Sequence, residues 1–246
     1  LYQWQTTGGQ FVSGQTSAAP VVDAPGQYDL LVTDTVNGCT QTASVGVDQD
    51  IAIPLADAGP SSTLTCVLLQ TTLQGAVEPG PGINAVWTVS SGGNIVSGAN
   101  TATPVVDQPG NYLLSVTNAD NGCTNTASVA VLQNIIKPTA NAGQDATLSC
   151  TVNSLSVTGT ATINGTPAYL WTAGTGGHIV SGANSLTAVV DSPGVYTLLV
   201  TDVVNGCTAS DAVQVFNDAS APNAAVTMPG PLTCTVTQLM LQGFGS

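Results

Sequence analysis

"PGNYLLSVTNADNGCT" (residues 109–124) decides how the chain is read. A Pro-Gly turn opens it. Tyr112, Leu114 and Val116 then alternate with more polar neighbours, the period of a strand with one buried face. Asn121-Gly122 marks a tight turn, and Cys123 follows directly. Two other stretches carry the same phrase: "PGQYDLLVTDTVNGCT" at 25–40 and "PGVYTLLVTDVVNGCT" at 193–208.

The phrase belongs to a tandem repeat. Cys39, Cys123 and Cys207 stand 84 residues apart, and so do Cys66, Cys150 and Cys234. Pro54, Pro138 and Pro222 keep that phase, and Trp4, Trp87 and Trp171 keep it to within one residue. "GGNIVSGAN" (92–100), "GGHIVSGAN" (176–184) and "GGQFVSGQT" (8–16) are near copies. So many markers in one phase define the unit. Residues 54–137 and 138–221 are read as complete repeats. Residues 1–53 are the back part of one repeat and 222–246 the front part of another. The expectation is a window onto a longer array, and a unit of 84 residues is long enough to bury its own core.

Composition restricts function. The chain has 27 Gly, 14 Pro and 43% hydrophobic residues, a profile of short strands and turns. Lys137 is its only basic side chain against 14 carboxylates, for a formal charge of −13. One Lys cannot displace phosphate counterions, so nucleic acid is excluded as a partner. An anionic membrane surface is excluded for the same reason. A Lys-based isopeptide cross-link in every repeat is excluded too. No uninterrupted apolar run reaches the ~18 residues expected of a membrane-spanning helix.

Within 54–137, "PLADAG" reads as a short first strand ended at Gly59-Pro60 and continued by "STLTC". "LLQTTLQGAV" reads as the second strand, "EPGPGIN" as a loop, and "AVWTVS" as the strand bearing Trp87. "NYLLSVT" and "TASVAVLQ" close the unit. Ala127, Val129 and Val131 share one face of the last. The pattern predicts an all-β protein of tandem immunoglobulin-like β-sandwich repeats. Trp4, Trp87, Trp171, Tyr28, Tyr112 and Tyr196 are its expected structural core.

The order Pro-x-Ala-x-Ala-Gly, Leu-x-Cys, Trp, Pro-Gly-x-Tyr-x-Leu-x-Val-Thr, Asn-Gly-Cys-Thr resembles the immunoglobulin-like and PKD-like repeats of very large secreted surface proteins. These include gliding and attachment adhesins of Gram-negative bacteria. The Gly-Asp-Gly usual after the Trp of PKD repeats is absent here. The resemblance implies a bacterial, extracellular stalk, fibre or surface filament with no enzymatic activity and no cofactor. A ligand- or glycan-binding adhesin array is the other reading it leaves open.

The cysteines allow two connectivities. An intradomain pairing would join Cys66 to Cys123 and Cys150 to Cys207. In antibody domains, however, the second Cys lies two residues after the corner Tyr. Here Cys123 comes eleven residues after Tyr112, beyond the far end of a strand spanning roughly 23 Å. Cys66 is expected at the opposite pole, too far for a disulfide, whose Cα atoms approach within about 7 Å. The favoured pairing is therefore between repeats, Cys66 with Cys207. Cys39, Cys123, Cys150 and Cys234 would then be bonded to repeats outside the window.

Other candidates reduce to structure. His178 is read as an exposed loop residue, since Asn94 and Gln10 occupy its position in the other repeats. Asp23, Asp107 and Asp191 are read as Asx-type turn residues. Calcium needs six to eight oxygens. Asp48, Asp50 and Asp57 are weak calcium candidates, because the next linker, "QNIIKPTANAG", has lost all three. The expected partners are neighbouring repeats of the chain and, from the low surface charge, other copies packed side by side in a bundle.

Overall fold

The computed structural model describes residues 1–245, and every regular element among them is a β-strand or a turn. Across residues 54–137 one sheet runs in the order Ile83–Gly92, Gly110–Asn118, Thr124–Asn134, Ser62–Thr65. The last pairing is parallel. The facing sheet holds Ile95–Ser97, Val105–Val106 and Thr71–Thr72, with Ala56–Asp57 paired to Ala76–Val77 beside it. The first strand thus divides between the two sheets, and the break falls at Gly59-Pro60, where Pro supplies no N–H for a ladder.

The second unit repeats this order, with Pro167–Ala173, Gly194–Asp202, Thr208–Asp218 and Ala146–Ser149 forming one sheet. Leu155–Thr158, Thr187–Val190 and Ile179–Ser181 form the other, beside the pair Thr139–Asn141 and Thr160–Thr162. Two sheets with this strand order and a first strand shared between them make an immunoglobulin-like β-sandwich.

The core follows the alternation. Trp87, Tyr112, Leu114, Val116, Val129 and Val131 are buried with Leu64, Leu73 and Val106. Trp171, Tyr196, Leu198, Val200, Val213 and Val215 repeat the arrangement. Leu114 and Leu198 stand two residues after their corner tyrosines, where an antibody domain has its cysteine. They share their cores with Leu73 and Val157. Apolar packing replaces an internal disulfide, with each buried Leu contributing about 2 kcal/mol.

Each corner tyrosine fixes two loops. Tyr112 Oη donates to Gln108 O at 2.7 Å and accepts from Asn94 N at 2.9 Å. Tyr28 bonds Ala24 O and Gln10 N in the same way, and Tyr196 bonds Ser192 O and His178 N.

Two expectations are corrected. The stretch 68–77 is not one strand: only Thr71–Thr72 and Ala76–Val77 pair, interrupted around Gly75. A Cβ on Gly75 would lie 2.5 Å from Ala102 O and 2.7 Å from Trp87 Cζ2, so the break falls where only glycine lets backbone and indole come this close. Trp4 is only half-buried, whereas Trp87 and Trp171 are fully enclosed. Residues 1–53 supply the strands Tyr2–Thr7, Gly26–Thr33 and Thr40–Val47, but no strand equivalent to Ser62–Thr65 lies against them. Residues 222–245 supply only the pair Ala224–Val226 and Gly243–Gly245.

Candidate functional site

The Asn-Gly-Cys turn is a compact device. Gly206 adopts φ +70°, its N–H donates to Asp202 O at 2.7 Å, and Cys207 N donates to Asn205 Oδ1 at 2.8 Å. Asn121 and Asn37 accept from Cys123 N and Cys39 N in the same way, each at 2.9 Å. This Asx-type bond engages the amide oxygen and leaves the amide nitrogen pointing away from the turn.

That nitrogen holds the linker from the preceding repeat. Asn205 Nδ2 donates to Asn134 Oδ1 at 3.0 Å and to Ile136 O at 2.9 Å. Asn121 Nδ2 donates to Asp50 Oδ1 at 2.9 Å and to Ala52 O at 3.0 Å. The two joints therefore carry the same clasp at equivalent positions. Asn205 is only 1% exposed. Burial of an amide at this depth is tolerated because its donors and acceptor are met.

The second half of the site comes from the front of the preceding repeat. Ser62–Thr65 runs parallel to Val131–Asn134, so it delivers Cys66 to the pole where that repeat ends. A tight turn, closed by Thr65 N to Leu68 O at 2.9 Å, puts Cys66 and Val67 at its tip. Cys66 N donates to Asn205 O at 3.1 Å. Cys66 and Cys207 form a disulfide with a Cα–Cα distance of 5.1 Å. The alternative bridges, Cys66–Cys123 and Cys150–Cys207, are absent. Cys123 precedes the 11-residue strand whose far end pairs with Thr65, about 33 Å away at ~3.3 Å per residue. Cys39, Cys123, Cys150 and Cys234 are free thiols in this structure.

Gly206 makes room for the approach. A Cβ there would lie 2.6 Å from Val67 Cγ1, whereas one on Gly122 would meet nothing within 4 Å. Both glycines have positive φ. Gly122→Ala therefore costs about 1–2 kcal/mol from conformation alone. Gly206→Ala should cost more, with part of the excess recovered by Val67→Ala. Thermal unfolding of the three variants checks this, and equal effects of the two glycine changes would refute the contact.

Asp50 responds to the clasp electrostatically. The amide of Asn121, and then the N–H of Ala52, hold its carboxyl below the ordinary 3.8. A lowered carboxylate pKa means a stabilising contribution present above the ordinary value and lost as the pH falls through the folded one. The clasp on residues 50–52 should weaken in acid, while the one on 134–136, where Asn134 replaces Asp50, should not respond. A carbon-detected NMR titration of Asp50 in Asn121→Ala should show its midpoint rising; an unmoved midpoint would contradict the assignment.

The remaining candidates have local roles. Asp50 Oδ1 accepts from Ala52 N and Asp57 Oδ1 from Gly59 N, both turn contacts. Among the described residues no group of three or more His, Cys, Asp or Glu side chains is arranged to hold a metal, and Asp48, Asp50 and Asp57 do not converge on one. His178 Nδ1 lies 2.7 Å from Asp191 Oδ1, and Asn94 Nδ2 donates to Asp107 Oδ1 at 2.9 Å. These carboxylates tie two loops together across the corner, in place of the Asx turn expected of them. The His178 contact holds the Asp191 carboxyl below its ordinary value. A cleft of about 520 Å³ beside the disulfide is lined by Thr65, Asp107, Gln133, Lys137 and Thr208 among others. Ile53 stands at the position of Lys137 in the preceding joint, so the chemistry of this cleft is not repeated.

Fold and joint together define a tandem array of immunoglobulin-like sandwiches clasped head to tail. No family model matches the chain. Solved structures similar to it include extracellular domains 3–5 of Drosophila OTK, at 12% identity over 89% of this chain and 85% of that one, with a TM-score of 0.35. The I-band fragment I67–I69 of titin aligns at 12% identity over 89% and 88%, with a TM-score of 0.34. The PKD domain of the KIAA 1837 protein aligns at 28% identity over 33% of this chain and 89% of that one, with a TM-score of 0.27. The strand order and the two packed cores define the fold.

Among the described residues no helix is long and apolar enough to cross a membrane.

Proposed function

We propose that the chain is a structural section of a long extracellular repeat protein of a bacterial surface, forming a stalk, fibre or filament used for attachment. On this reading residues 54–137 and 138–221 are its whole units, with 1–53 and 222–246 belonging to two more. One observation carries the reading: Cys66 and Cys207 belong to different repeats and are covalently joined across the linker. Such a bond adds nothing to the core of either unit. It restrains one unit against the next, which is what a load-bearing rod requires. The oxidised pair also fits an extracellular compartment, since disulfides persist where thiols are not kept reduced. The linker Ile135–Pro138 is short and ends in Pro, which limits bending further.

Immunogold labelling of intact source cells with antibodies raised against residues 54–221 tests this. Decoration along surface filaments is expected. Label confined to the cytoplasm would overturn the proposal.

A further inference from the structure

Four Asn-Gly pairs occur in the chain, at residues 37–38, 121–122, 164–165 and 205–206. In water such a pair loses its side-chain amide readily, because glycine carries no side chain to hinder attack by its own nitrogen. At the joint the step would run as follows. Gly206 N attacks Asn205 Cγ, a new N–Cγ bond forms, and the Cγ–Nδ2 bond breaks. Nδ2 leaves as ammonia, taking the proton of Gly206 N. Water then opens the cyclic imide at either carbonyl, giving aspartate or isoaspartate at 205. One water is consumed and one ammonia released, with no change of oxidation state.

The closed joint blocks this chemistry. The N–H of Gly206 is committed to Asp202 O at 2.7 Å. Cys207 N, Asn134 Oδ1 and Ile136 O pin both ends of the Asn205 amide, so Cγ cannot swing toward Gly206 N. Cys66 N holds Asn205 O at 3.1 Å, and Cys207, also 1% exposed, is bonded to Cys66. Asn164 has no such restraint: it is exposed, in the bend between Thr160–Thr162 and Pro167–Ala173. The product at 205 does not fit the joint. A carboxylate there keeps an acceptor for Cys207 N but presents an acceptor to Asn134 Oδ1 and Ile136 O, which need a donor. Its charge would be buried without a partner. An isoaspartyl link also inserts a further backbone carbon before Cys207, which moves that cysteine off Cys66.

We propose that Asn205 is a hydrolytic modification site guarded by the joint: it keeps its amide while Cys66–Cys207 is intact, loses it once the joint is reduced, and the joint then does not re-form. Reduction alone is reversible, so the loss of ammonia is what makes the opening permanent. This chemistry depends on the joint and not on where the protein is displayed.

The full chain, oxidised or held reduced, is incubated at neutral pH in heavy-oxygen water, and labelled Asp and isoaspartate are counted by peptide mapping. Asn164 is the internal clock and should deamidate equally in both. Relative to it, Asn205 should deamidate about 30-fold faster or more in the reduced chain, the low end of what covalent closure typically contributes. Equal relative rates at Asn205 in the two chains would overturn the guard, as would modification that yields no isoaspartate. Cys207→Ser without reductant should match the reduced chain; an amide kept as in the oxidised parent would count against the disulfide. The reduced, partly modified chain is then returned to glutathione buffer. The Cys66–Cys207 peptide should recover almost only unmodified Asn205. Modified residues recovered there in the same share as among free thiols would refute the one-way opening. Absence of the Cys66–Cys207 peptide from the oxidised chain at the outset would instead sink the joint itself.

Discussion

Stretched between its ends, the oxidised chain should yield about 470–510 Å less contour length than the reduced chain. The disulfide spans 141 residues, and an extended chain covers at most ~3.3–3.6 Å per residue. Tension arriving at Cys66 crosses to Cys207 through sulfur and bypasses everything between them. The stretch between the two cysteines, with Trp87 and Trp171, carries no direct tension while the bond is intact. Only the segments outside the loop can peel, among them Ser62–Thr65 and Thr208–Asp218, which flank the bond and carry Leu64, Val213 and Val215 of the two cores. Single-molecule force spectroscopy with and without reductant checks this, and Cys207→Ser should match the reduced chain under both conditions. Equal contour lengths in oxidised and reduced chains would refute it.

Asn205→Ala should lower the effective concentration of the Cys66 and Cys207 thiols by about 30- to 150-fold. The substitution removes both linker bonds and the acceptor for Cys207 N. Leaving the N–H of buried Cys207 and the Ile136 carbonyl unmet costs about 2–3 kcal/mol in all, and ~1.4 kcal/mol corresponds to tenfold. The joint would then no longer hold the two cysteines together before oxidation, which is what sets an effective concentration. The equilibrium between dithiol and disulfide in graded glutathione buffers measures it. Asn121→Ala is the control: it loosens the preceding joint and should leave the Cys66–Cys207 equilibrium unchanged. A value within twofold of the parent for Asn205→Ala would refute the role of the clasp.

Much of the fold was readable from residue order. The alternation through Tyr112, Leu114 and Val116 identifies a strand with one buried face, and that face lies at the centre of the core. Leu114 in place of cysteine already indicates that the sulfur chemistry lies elsewhere. The interruption around Gly75 was not legible, because it depends on how closely Trp87 approaches from the other sheet. Nor was the reduced burial of Trp4, which reflects the cover its strands lack. The clasp was missed for a different reason. Asn205-Gly206 is fully explained as a turn, so nothing local asks for a second role. A signal existed in the linkers: Asp50 and Asn134 occupy equivalent positions, and both keep a side-chain oxygen acceptor where the surrounding sequence changes. Local pattern records strands and turns, whereas contacts between repeats appear only when positions one period apart are compared for the same chemistry.

The bond between Cys66 and Cys207 also changes what a cut means. Exposed loop tips such as the turn 78–82 are where proteases nick a folded chain. A single backbone break anywhere between residues 67 and 206 leaves both pieces attached, one through Cys66 and the other through Cys207. The severed molecule keeps its mass until it is reduced, and its folded units keep their places through the clasp and the sheets. Damage that would shorten an ordinary chain of domains leaves this one at full length.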